Sequence, residues 1–228
     1  MSSTASRPRT RKAPAERAAE IVAAATALAR ESGLSALTLR SVADRAGVAP
    51  GLVAHYQPSI DDLVARAYTD LVDAEVRDVE RVVASAGDPA AQLTALIGTL
   101  VDGARDDLTV VWVEGWAMAR HNDALADAVR AQMERWQRLV ESIVTDGCRA
   151  GVFAAPEPAE IAWELIGLIN GLNAQSLVRG ADTARFAPRM ARAAAALVGA
   201  TPGTIESAAR ASRWSVARDA SGSRGGPG

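Results

Sequence analysis

Apolar residues recur at helical spacing along most of the chain, and no segment sustains the two-residue alternation of a half-buried strand. The expected fold class is therefore all-α. Ile21, Val22, Ala25, Leu28 and Ala29 share one face and predict a helix over Pro14–Ser32, ended by Gly33. Leu34, Leu37 and Leu39 follow as residues that close a small core. Thr38 can cap a helix over 39–46, whose Val42, Ala43 and Ala46 make an apolar side. Gly47 suits the left-handed position just past a helix end, and Pro50 suits the first turn of a helix over 50–56. Ser59-x-x-Asp62, a variant of the capping box, opens a long helix to about Ala86, where Gly87-Asp88-Pro89 stops it. Further helices are expected over about 89–104, 107–120 and 123–150. After the loop holding Pro156 and Pro158 come one to about Arg179 and another over 184–199. Residues 200–228 read as a flexible tail, with a short helix around Ile205–Val216 as an option.

Two short helices joined by a turn containing glycine form either a generic αα-hairpin or a helix-turn-helix, whose second helix reads the DNA major groove. The residues favour the second. Thr38 to Tyr56 reads T-L-R-S-V-A-D-R-A-G-V-A-P-G-L-V-A-H-Y, followed by P-S-I-D-D-L-V. This stretch resembles the helix-turn-helix of the TetR family of transcriptional regulators. The G-L-V-A-H-Y ending and the later W-V-E-G-W-A and L-I-N-G-L segments are similar to its BetI-like branch. The resemblance is good over about 15–75, weaker to about 199, and absent beyond.

The family implies a domain plan: a basic arm over 1–13, a DNA-binding domain over 14–75, a helical effector-binding and dimerisation domain over 76–199, and the tail. It also implies DNA-binding roles for Thr38, Leu39, Arg40, Pro50, Gly51, Leu52, Ala54, His55 and Tyr56. Arg40 suits either a guanine edge, which its fork meets at O6 and N7 together, or a phosphate. Small residues at 50, 51 and 54 permit close approach, and Leu52 or Ala54 can meet a thymine methyl. His55 and Tyr56 match positions that hold the phosphate backbone, although Tyr56 can equally pack against the next helix. The chain departs from the family pattern at three positions: Ala49 replaces a capping Ser, Gln57 replaces Phe and Ile60 replaces Lys.

Charge sharpens this picture only when the chain is divided. The whole chain has a net charge of −2. Residues 1–66 hold nine Arg/Lys against six Asp/Glu, a net of +3, and the remainder sixteen against twenty-one, a net of −5. A basic head on an acidic body fits a protein that meets nucleic acid with one end. Arg7, Arg9, Arg11 and Lys12 can reach phosphates or the minor groove, or simply keep a terminus solvated.

Cys148 is the single cysteine and the two histidines, His55 and His121, lie far apart, so neither a disulfide nor a Cys/His metal site is expected. No cofactor is expected either. With no signal peptide or membrane-length apolar run, the expected compartment is the cytoplasm, and no membrane partner is foreseen. No nucleotide fingerprint or nucleophile–base pair speaks for an enzyme. A helical interaction module without DNA binding, or an enzyme, are the rival classes.

In the second half Trp112 and Trp116 stand four apart on one helix face. With Met133 and Trp136 they either line a small-molecule pocket or form ordinary core. Glu114 and Asn170 are the polar groups such a pocket would need. The BetI-like resemblance and the tryptophans together make an aromatic cage for a quaternary ammonium conceivable. Ile161, Leu165, Leu168 and Leu172 on one helix, with Met190, Ala194 and Leu197 on the next, are expected at a two-fold homodimer interface. The partners expected are thus a pseudo-palindromic double-stranded operator, a second copy of the chain and a small-molecule effector. The long helix after Ser59 is the natural lever between pocket and DNA.

Overall fold

The computed structural model describes residues 13–101, 103–179, 186–201 and 203–205. Residues 1–12 of the expected arm over 1–13, the turn around Gly180 and the option of a helix beyond Ile205 lie outside the described residues. Among the described residues there are nine α-helices and no strand: α1 (Pro14–Ser32), α2 (Leu39–Ala46), α3 (Pro50–Tyr56), α4 (Ile60–Ala84), α5 (Pro89–Leu100), α6 (Asp106–Met118), α7 (Asp123–Arg149), α8 (Pro158–Arg179) and α9 (Phe186–Leu197), with a single 3-10 turn at Leu34–Ala36.

Local signals set most of the boundaries. Thr38 and Ser41 cap α2 reciprocally: the Thr38 hydroxyl accepts from Ser41 N–H at 3.0 Å, and Ser41 Oγ accepts from Thr38 N–H at 2.9 Å. Ser59 and Asn122 cap α4 and α7 one-sidedly, accepting from the N–H groups of Asp62 and Leu125 at 3.1 and 2.9 Å. As expected from Ala49, α3 has no side-chain cap. Helix α5 ends at Leu100 rather than near 104, because the chain turns at Gly103, whose φ of +78° few other residues adopt.

Helices α1 to α3 form a small head around Ile21, Ala25, Leu34, Val42 and Val53, all fully buried. Helix α4 leaves that head and runs through the body, packing most extensively on α7. Polar clamps brace that seam. Arg135 of α7 donates to Asp73 and Glu80 of α4 at 3.0 and 2.9 Å, and Asn122 Nδ2 donates to the Asp61 carbonyl at 3.2 Å. Helices α5, α6, α8 and α9 complete the body.

Ile205, in the stretch expected as a flexible tail, is packed into the body. Ile205 is fully buried, and its carbonyl lies 3.0 Å from the Thr94 hydroxyl on α5. Residues 203–205 therefore belong to the packed body, anchored by one apolar side chain that its polar and glycine-rich sequence neighbours disguise.

Candidate nucleic-acid interface and effector cavity

In the head, the start of α2 and one side of α3 face outward, with Val53 of α3 turned into the core. Arg40, Pro50, Gly51, Ala54 and His55 are exposed, and a Cβ on Gly51 would meet nothing within 4 Å. Its smallness is thus not demanded by the chain's own packing. Leu52 is half-buried. Thr38 is exposed but its hydroxyl is committed to the cap, and Leu39 packs partly against the core, so these two hold α2 in place more than they offer a reading surface. Tyr56 also leans on the core and meets His55 edge-to-face with ring centres 5.0 Å apart, which orients the imidazole outward. Ile60, where the family carries Lys, packs against the core. Arg45 of α2 donates through its two terminal guanidinium nitrogens, Nη1 and Nη2, to the two carboxylate oxygens of Glu31 on α1, and this pairing holds the Glu31 carboxyl below its usual range.

In the body a cavity of about 50 Å³ opens between α4, α6, α7 and α8. Trp112 and Trp116 form its α6 wall, with ring centres 5.8 Å apart and planes tilted by 42°. Trp136 and Met133 enter from α7, Asn170 and Asn173 from α8, and Arg105 and Thr109 from the start of α6. Five of the six residues expected in a pocket line it: Trp112, Trp116, Trp136, Met133 and Asn170.

Glu114 does not. Neighbouring cavity residues at 109, 112, 113 and 116 put the opposite side of α6 against the head, and Glu114 points that way. Its carboxylate accepts from Ser35 N–H at 3.1 Å and from Ser35 Oγ–H at 2.6 Å. It also lies so close to Gly33 that a Cβ there would come within 2.4 Å of Oε2. The acidic group in the cavity is instead Glu75 of α4, which the sequence reading missed. Glu75 Oε2 accepts from Trp112 Nε1–H at 3.0 Å. Burial raises the Glu75 pKa, the Trp112 hydrogen bond and the Arg105 charge oppose the rise, and the charges of Asp107 and Asp78 add to it. Only a carboxyl on an otherwise apolar helix face could have signalled it. Around the same wall the Trp116 Nε1–H and the Tyr68 hydroxyl are buried without a hydrogen-bond partner among the described residues, and Tyr68 meets Trp112 edge-to-face at 5.6 Å.

The proposed interface residues divide. Leu165, Met190 and Ala194 are buried inside the chain's own core, because α9 lays that face on α8 and α5. They are not available to a partner. Ile161, Leu172 and Leu197 are half-buried, and Leu168 is 42% exposed. The outward stripe of α8 is Trp163, Gly167, Gly171 and Val178, with Trp163 66% and Val178 88% exposed. A Cβ on either glycine would meet nothing within 4 Å. Among the described residues no cluster of His, Cys, Asp and Glu could hold a metal, and no helix is long and apolar enough to cross a membrane.

Residues 21–67 match the model of bacterial regulatory proteins of the tetR family, and residues 89–200 match that of the BetI-type transcriptional repressor C-terminal domain. The chain belongs to the TetR family of transcriptional regulators, in its BetI-like branch. It is 32% identical to the HTH-type transcriptional regulator BetI of Stenotrophomonas maltophilia over 71% of this chain and 82% of that one. It is 30% identical to the BetI of Burkholderia cenocepacia over 68% and 79%. Among solved structures, a regulator from Saccharomonospora viridis in complex with choline superposes with a TM-score of 0.69 at 22% identity, covering 77% of this chain and 94% of that one. A Rhodococcus regulator gives 0.62 at 26% identity, covering 80% and 94%. This TetR-family regulator therefore has the all-helical architecture of its relatives, with a DNA-binding domain followed by a BetI-type domain.

Proposed function

We propose that the regulator is a homodimeric repressor that binds a pseudo-palindromic operator and is released by a small organic cation of the quaternary ammonium class. The observation that carries the effector is the chamber itself: three tryptophans and a methionine around one buried carboxylate. Indole faces attract a cation that cannot donate hydrogen bonds, by about 2 kcal/mol or more when water is excluded. Glu75 supplies the counter-charge, and a cation beside it favours its ionised form. A water needs roughly 10–15 Å³ by the same kind of measure, so the cavity suits a compact head rather than a long chain. The S. viridis relative solved with choline supports this choice of compound.

On the DNA side, Arg40 and the exposed face of α3 form the reading surface, and the arm over 1–13 adds phosphate contacts. Two such heads dock together only if their reading helices sit about 34–36 Å apart, so an effector acts by moving them off that spacing. The second copy of the chain sits on the outward stripe of α8, where glycines four residues apart let another helix approach closely. The tail and the arm flank these two functional domains, over 14–75 and 76–199.

Choline should quench tryptophan fluorescence and weaken operator binding over the same concentration range. Its neutral carbon isostere, 3,3-dimethylbutan-1-ol, should do neither. Equal responses to the two compounds would remove the cation from the proposal.

A further inference from the structure

Helix α6 has two working sides. Thr109, Trp112, Val113 and Trp116 face the chamber. Asp107 and Glu114, seven residues apart and hence nearly aligned, face the head. Arg30 donates to Asp107 at 2.7 Å, but its side chain is 60% exposed, and such a pair holds little. Glu114 is held more closely. Two donors of Ser35 converge on it, and the turn at Gly33 is open for its carboxylate only because that residue lacks a Cβ.

From Ser35 a short path leads to the reading surface. The next residue, Ala36, offers its carbonyl to the Ser41 hydroxyl at 2.8 Å. Ser41 closes the capping box with Thr38, and Arg40 stands between those two in sequence. Helix α4, the other connection between head and body, is braced along α7 by the Arg135 and Asn122 clamps. Among the described residues, the head-side ties of α6 are those of Asp107 and Glu114.

We propose that Glu114 is the residue that couples the chamber to the DNA-reading head, by holding the corner between α1 and α2 only while α6 is in its unliganded position. The inference rests on the effector reading given above. An effector seated on Trp112 and Trp116 displaces α6, and Glu114 travels with it. Hydrogen bonds weaken steeply as distance and angle depart from their optimum, so a small shift that apolar contacts absorb releases Ser35. The capped start of α2, and Arg40 with it, then loses its fixed position. Coupling of this kind requires one element whose arrangement both sites bias, and α6 is that element.

The test compares wild type with Glu114→Gln and Ser35→Ala, each as full-length protein with melting temperature checked, on an operator duplex obtained by in vitro selection with the wild type. Choline is the effector probe. The ratio of operator affinities without and with choline, expected in wild type at about 5- to 150-fold for an allosteric pair, should fall to within about twofold of one in both variants. Choline quenching of tryptophan fluorescence should persist at the wild-type midpoint. Folded variants that keep the wild-type ratio would overturn the proposal. Should choline neither quench nor release in the wild type, the effector reading fails, and operator binding alone then decides. By reciprocity, binding the duplex should alter fluorescence from Trp112 and Trp116 in wild type and not in the two variants. A change retained in the variants, or absent in wild type, counts against Glu114 as the coupler.

Discussion

Gly33→Ala tests how tightly head and body are joined. Gly33 has φ +84° and ψ 168°, a region in which a Cβ collides with its own backbone; holding alanine there costs about 1–3 kcal/mol. The new methyl would also lie 2.4 Å from Glu114 Oε2. That atom ends a flexible side chain, so it can move, but only by giving up the two Ser35 hydrogen bonds. Bonds to a charged group contribute about 1.5–3 kcal/mol when buried. This site is partly exposed, so about 1 kcal/mol for the pair is the fitting figure. The expected loss is therefore about 2–4 kcal/mol, which at about 2–4 °C per kcal/mol lowers the melting temperature by roughly 5–15 °C. In a Glu114→Ala background the collision is gone and only the backbone strain remains. Urea or thermal melts of the four proteins give the coupling directly, expected near 1 kcal/mol. Additive losses, within about 0.5 kcal/mol, would refute the close approach of Glu114 to Gly33.

Three further expectations use the body. Glu75 has a raised pKa in the folded protein, so the folded state holds its proton more tightly than the unfolded chain does. Its charge therefore costs stability once pH rises above the unfolded value near 4.5, increasingly until the folded group is ionised as well. Glu75→Gln should accordingly melt higher than wild type at pH 7, lose that advantage as pH falls toward 4.5, and bind choline more weakly throughout. A gain that grows on acidification would contradict the assignment. Leu168→Arg should give soluble monomer by light scattering, since an unpaired charge in a closed helix seam costs several kcal/mol. Leu165→Ala should instead lower the melting temperature of the protomer, by about 2–5 kcal/mol of cavity cost, with the dimer retained at low temperature. Exchanged outcomes would return Leu165 to the interface.

The head was legible because its signals are local. Thr38, Gly47, Pro50 and Ser59 each act within a turn or two of their own position: α2 begins and ends, and α3 and α4 begin, where those residues dictate. The chamber was legible in its aromatics, since four-residue spacing alone aligns Trp112 with Trp116. Its charge was not. Helical spacing states which residues share a side and leaves open which neighbour that side meets. Glu114 was accordingly assigned to the wrong face of α6, and Glu75, lying among the valines and alanines of α4, gave no sign of its burial. The same ambiguity explains Leu165, Met190 and Ala194. Helix α8 is apolar nearly all round, and composition cannot divide such a helix between its own core and a second copy.

The separation of tasks around α6 has a consequence for how such a sensor changes over time. Thr109, Val113, Asn170 and Asn173 shape what fits the chamber, while Glu114, Ser35 and Gly33 sit at the joint with the head. No residue belongs to both sets. On the effector and coupling roles proposed above, new chemical tastes arise by drift in the first set while the second stays untouched, and a biosensor library confined to those four lining positions samples ligands without erasing the signal.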